Sequence, residues 1–170
     1  MAGKIITVLL ILVTLAVGGG VYYAQVYGFY ADVALEDVQM TALTSGQPET
    51  ILFDDFTAID AESSPIRYRA CFTTPTSLAT LTETYEIFDE AEPLTGPRWF
   101  DCFDAQAIGD MLSTGEAIAF TGTRNFEYGI DRVVAVTATG QGYVWHQVNE
   151  CGDKLYDGTP AGDDCPERTQ

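Results

Sequence analysis

The sequence predicts an α+β protein. An N-terminal single transmembrane helix is followed by a small, mainly antiparallel sheet domain with one or two helices. Three observations predict it. Lys4 is followed by an uncharged run over 5–30 that is apolar on every face, which a soluble helix does not need. Apolar and polar residues alternate over 66–72, the period-2 signature of a strand, and 130–138 and 142–148 read as two further strands joined by a turn. One compact helical signature, opened by Asp104 and closed by Gly115, lies between those strands.

The first element is the span. Residues 5–24, including Ile5, Leu9, Leu12 and Val17, carry no charge. As a helix they rise roughly 30 Å, the thickness of a bilayer's hydrocarbon core. Their Ile, Leu and Val side chains favour insertion by roughly 3 to 7 kcal/mol. Tyr22 and Tyr23, followed by Tyr27, Phe29 and Tyr30, form an aromatic belt at the far end. Lys4 precedes the span and the first basic residue after it is Arg67. The positive-inside rule therefore places the N-terminus in the cytoplasm and residues 31–170 outside it. A cleaved signal peptide is the rival reading. Gly18 and Gly20 are poor cleavage-site residues, and the rings of Tyr22 and Tyr23 stand where a small side chain is wanted.

Residues 31–37 read as a short acidic stem. A first strand is expected over 38–43, a turn at 45–48 and a second strand or short edge at 51–53. After a break at 62–65 the alternation of 66–72 gives a strand. Thr74-Pro75 is a plausible helix start, with Leu78 and Leu81 on one face and an end near Glu83. Residues 85–88 look like a strand, and the aromatic segment 99–103 is expected to pack onto the core. Asp104 caps a helix whose Ile108, Met111 and Leu112 share a face. A short strand at 117–120 precedes two strands, 130–138 and 142–148, joined by a hairpin turn at 139–142. Three regions follow: a 1–30 anchor, a 31–152 periplasmic domain, and a 153–170 loop pinned by a disulfide.

All 25 acidic residues, and all but Lys4 of the 8 basic ones, lie beyond the span. Such a surface repels nucleic acid and attracts cations or basic peptides, or simply keeps an envelope domain soluble. Four cysteines in an exported domain allow three pairings. The preferred ones are Cys71–Cys102, tying two core elements, and Cys151–Cys165, closing a polar loop. No paired close spacing suits zinc, and the even count argues against a catalytic thiol. Asp153, Asp157, Asp163 and Asp164 lack the closing glutamate of a calcium loop.

The single histidine, His146, falls on the strand face of Val144 and Val148 and reads as a structural residue, with proton transfer or pH sensing as alternatives. A serine triad would need His146 with Ser63, Ser64 or Ser77, none in a nucleophile elbow. The scarce arginines read first as ion-paired supports. The sharper alternative is an anion- or partner-binding face of Arg67, Arg69 and Arg132, with His146 and Gln147.

Segments 22–27, 64–75, 99–104, 128–136 and 143–149 together resemble a family of single-pass proteins of alphaproteobacteria, a domain of unknown function. The resemblance implies a membrane-anchored periplasmic location and brings no catalytic residue. The expected function is a non-enzymatic accessory, assembly or interaction protein, with no cofactor and no metal. Its partners would be the bilayer, through 5–24, and an integral membrane protein or complex. The alternatives are an anion or small-ligand sensor and an envelope hydrolase.

Overall fold

The computed structural model describes residues 2–162 and 165–166. Helix α1, Ala2–Tyr23, has 22 residues and is about 33 Å long. From Gly3 on its residues are exposed, and it is long and apolar enough to cross a membrane. The Thr7 and Thr14 hydroxyls donate to the Gly3 and Leu10 carbonyls one turn back, so neither donor is left unsatisfied on the apolar surface of the helix. The helix runs on as a π-helical turn, Ala24–Gly28.

No stem follows. Ala31–Asp32 is strand β1, paired antiparallel with the end of β4 (Asp54–Asp60). Val33 then donates its amide to the Ala58 carbonyl. The expected acidic stem is thus the edge of the sheet, because the backbone of 31–33 finds free partners on β4. The other strands are β2 (Gln39–Thr41), β3 (Pro48–Thr50), β5 (Arg69–Thr73), β6 (Ala117–Glu127), β7 (Ile130–Thr137) and β8 (Gln141–Val148). Six form one sheet in the order β1-β4-β5-β8-β7-β6, antiparallel throughout, and β2-β3 is a separate hairpin. The α+β reading holds.

The sheet is covered on both sides. On one face Ala70 and Phe72 of β5, Phe120 of β6, Val134 and Val136 of β7 and Val144 of β8 pack under Val38, Met40 and Ile51 of the hairpin region and Leu81 of α2 (Leu78–Thr84). On the other, Cys71, Ala119, Val133, Ala135 and Trp145 pack under Phe100, Phe103 and Ile108, the last from α3 (Ala105–Thr114). Alternation along β5, β7 and β8 feeds the two cores in turn. Gly142 pairs with Phe72, and a Cβ there would overlap the Phe72 ring.

Local chemistry accounts for the boundaries. Asp104 accepts from the Gln106 and Ala107 amides at the start of α3, and Gly115 closes it at φ 78°. Helix α2 starts later than Pro75: Ser77 is its cap and accepts from Thr80. The 66–72 strand begins at Arg69, since 66–68 belong to the turn before it. Residues 85–88 form no strand of the sheet and pair as isolated β-bridges, Ala42 with Tyr85 and Ile87 with Phe120. Strand β6 is much longer than the expected 117–120, bent by register shifts, with Asn125 at φ 47°. Cys71–Cys102 ties β5 to the loop before α3, and Cys151–Cys165 closes the C-terminal loop.

Candidate functional site

Antiparallel pairing of β7 and β8 sets Arg132 opposite His146. His146 is 2% exposed. Arginine can only donate, so Arg132 Nε donates to His146 Nε2 at 3.0 Å. The ring proton therefore sits on Nδ1, which donates to the Pro65 carbonyl at 2.7 Å. The imidazole stacks on Tyr68 at 4.8 Å and touches Phe126 at 4.8 Å. The Arg132 guanidinium lies against the same two rings, at 4.8 and 4.4 Å, and its Nη1 stands 3.7 Å from Glu36. Burial pushes His146 down to about 4. The Pro65 carbonyl opposes that shift, while the Arg132 and Arg69 charges add to it. Burial likewise raises the Tyr68 phenol, with Arg132 opposing and Glu36 and Asp60 reinforcing. The imidazole is a neutral, fully hydrogen-bonded strut at neutral pH.

Arg69 points to the other face. It is 3% exposed and lies over Phe103 at 5.5 Å. Its guanidinium donates to the carbonyls of Leu94 (2.8 Å), Ile66 (2.8 Å), Tyr68 (2.6 Å) and Thr95 (3.2 Å). Burial lowers it to about 10, partly offset by Tyr30 and Asp60, which leaves it charged at neutral pH. Arg67 lies over the Tyr30 ring at 5.7 Å, and its Nη1 is buried with no hydrogen-bond partner among the described residues. Gln147 accepts from the Glu92 amide and donates to the Glu90 carbonyl, both at 2.7 Å, pinning the 89–92 loop. The five residues nominated by sequence therefore do not converge. Arg132 and His146 form one cluster. Arg69 organises the 94–95 loop, Arg67 packs beside the helix end, and Gln147 fastens a third segment.

The space those segments leave open is a cleft of about 530 Å³. Ile87 and Val148 supply apolar lining, and Asp89, Glu90, Glu92, Glu150 and Asp153 supply acid. Its wall contains Asp131, 1% exposed, which accepts from the Asn125 amide at 2.8 Å and the Asn149 side-chain amide at 2.6 Å. Arg124 spans Glu86 at 2.7 Å and Asp131 at 3.5 Å. Sequence reasoning missed this cleft. Its acids come from 89–92 and 150–153, which Gln147 and the β8 terminus bring together. Among the described residues no group of three or more metal-ligating side chains forms, and Asp163 and Asp164 lie outside them. The Asp157 carboxyl is held below its usual range by hydrogen bonds from Thr159.

Helix α1 and the domain meet at Trp99 through the π-helical turn. Its indole N–H donates to the Val26 carbonyl at 2.7 Å, and its ring stacks on Tyr27 at 6.2 Å and meets Tyr30 edge-on at 5.9 Å. The sequence placed the whole 99–103 segment on the core. Phe100 and Phe103 are there, whereas Trp99 turns to the helix end.

Residues 38–166 match DUF6446, a family of unknown function, and the chain belongs to that family. The matched stretch covers the sheet domain from β2 onward and most of the C-terminal loop, and leaves out α1 and β1. No curated protein and no solved structure matches the chain.

Proposed function

We propose that this chain is a non-enzymatic accessory or assembly protein of the bacterial cytoplasmic membrane. Its N-terminus lies in the cytoplasm and its disulfide-bonded domain in the periplasm, where the acidic cleft receives a basic segment of a larger integral membrane protein or complex. One observation carries the reading: an open acidic cleft sits on a domain joined to its membrane helix without a linker. A flexible tether would let the domain sample many heights. A fixed one holds the cleft at one height, which favours a partner embedded beside it.

Support also comes from what is already occupied. The His146 nitrogens are both engaged, with neither a serine nor a carboxylate among their partners, which argues against a serine hydrolase that uses His146 as its base. The arginines of the anion-sensor alternative are divided between two faces, and Arg69 and Arg132 are both committed to internal partners. All four cysteines are in disulfides, in keeping with an oxidising compartment.

The test is affinity purification of the full chain from native membranes in mild detergent, beside a Glu90→Gln, Glu92→Gln, Asp153→Asn variant. Co-purification of a large membrane complex that high salt and the variant both abolish is the expected result. Recovery of the chain alone at low salt, even after chemical crosslinking, overturns the reading.

A further inference from the structure

The place of Trp99 follows from counting along the span. Residues 5–24 rise roughly 30 Å and so fill the hydrocarbon core, which puts Ala24 at its boundary. Val26 is two residues further on, within a few ångströms of that boundary. The headgroup layer beyond it is about 5–8 Å deep. An indole bonded at 2.7 Å to the Val26 carbonyl therefore cannot leave that layer. The carbonyls of a helix's last turn lack backbone donors, and the Trp99 N–H supplies one here.

The surroundings suit the same layer. Trp99 belongs to an aromatic row with Tyr23, Tyr27 and Tyr30, and 36% of it remains exposed. Indole and phenol rings with one polar edge are enriched at headgroup depth. Arg98 beside it is exposed and has no ion-pair partner among the described residues. On so acidic a domain, an unpaired cation next to an interfacial ring is complementary to lipid phosphate.

We infer that the Trp99 loop is a second membrane contact, seated in the headgroup layer of the leaflet where α1 ends. It clamps the sheet domain to the bilayer surface. The inference rests on the anchored reading of α1, and it adds a lipid-binding surface on the folded domain itself.

The chain has two tryptophans, and Trp145 is fully buried in the core, so fluorescence can isolate Trp99. The full chain is reconstituted into phosphatidylcholine vesicles whose acyl chains carry bromine either near the headgroup or near the terminal methyl. Vesicle flotation reports anchoring in the same samples. The expected result is flotation, strong loss of emission with the shallow bromines, little with the deep ones, and disappearance of that loss in Trp99→Phe. A Trp145→Phe protein, if it folds, should retain the whole effect. Flotation with emission indifferent to bromine overturns the clamp and leaves the anchor standing. Failure to float overturns both.

Discussion

Acidification from about pH 7.5 to about pH 4 is expected to destabilise the domain through His146, whose imidazole is buried neutral between Tyr68 and Phe126. In the unfolded chain it titrates at its ordinary 6.5, and in the folded domain at about 4. Its folded value is depressed, so below 6.5 the unfolded chain takes up a proton that the folded one refuses. Stability falls with pH through that window and the loss levels off below the folded value. The difference corresponds to about 2 kcal/mol lost at pH 5 and about 3 kcal/mol at pH 4. Arg132 and Arg69 are the charges acting on the ring, and both disfavour the imidazolium. The acidic residues also titrate in this range, so the assay is a difference. Denaturant unfolding of the detergent-solubilised full chain is compared with His146→Gln at each pH, reading Trp145 fluorescence. Because the chain has one histidine, its C2 proton can be followed by NMR without assignment ambiguity. A folded-state midpoint near 6.5, or parallel pH profiles for wild type and variant, would refute the burial argument.

Removing Cys71–Cys102 as a double serine variant should cost about 4 kcal/mol, against about 3 kcal/mol for Cys151–Cys165, from the loops each closes, and urea midpoints of the two variants test that order. Gly142→Ala should lower stability by about 1–3 kcal/mol, because its methyl group meets the Phe72 ring across the β5–β8 pair, and a wild-type melting curve would show that the ring has room to move. Asp104→Ala should cost about 1 kcal/mol by uncapping α3, read as a shift in the urea midpoint.

Legibility in the sequence followed the range of the interaction. The long apolar helix α1, the β7–β8 hairpin and the caps of α3 depend on residues close together in the chain, and all three could be read directly. So could the preferred disulfide pairings, which needed only an even count and plausible loop lengths. Strand β4 could not. Asp54, Asp55 and Asp60 interrupt its alternation, and it becomes a strand because β1 and β5 flank it. The length of β6 was hidden for the same reason, since its outer half bends through register shifts opposite β7. At the site, alternation correctly set His146 on one strand face. It gave no hint that Arg132 would be the cross-strand neighbour while Arg69 went to the opposite core, because that is fixed by register between strands distant in sequence. The acidic cleft was least legible, since any of the acids could have lined it.

The distribution of cations ties these features together. Of the basic side chains beyond α1, Arg69 is enclosed by carbonyls, Arg132 by rings and His146, Arg67 lies against Tyr30, and Arg124 is exposed but paired with Glu86 and Asp131. Among the described residues beyond α1, only Arg98 and Lys154 stand exposed without an ion pair. Arg67, Arg69 and Arg132 are thus turned inward, where a guanidinium can join several strands and loops at once, and Arg124 is ion-paired at the surface. The domain's outer surface is left almost wholly negative. If α1 anchors the domain beside an anionic bilayer, such a surface is repelled by like charge, and a simple tether would hold the domain as far from the bilayer as its length allowed. The short β1 connection and the Trp99–Val26 bond work against that repulsion. Their combination makes sense if the acidic cleft must stay near the bilayer, within reach of a partner that is itself embedded there.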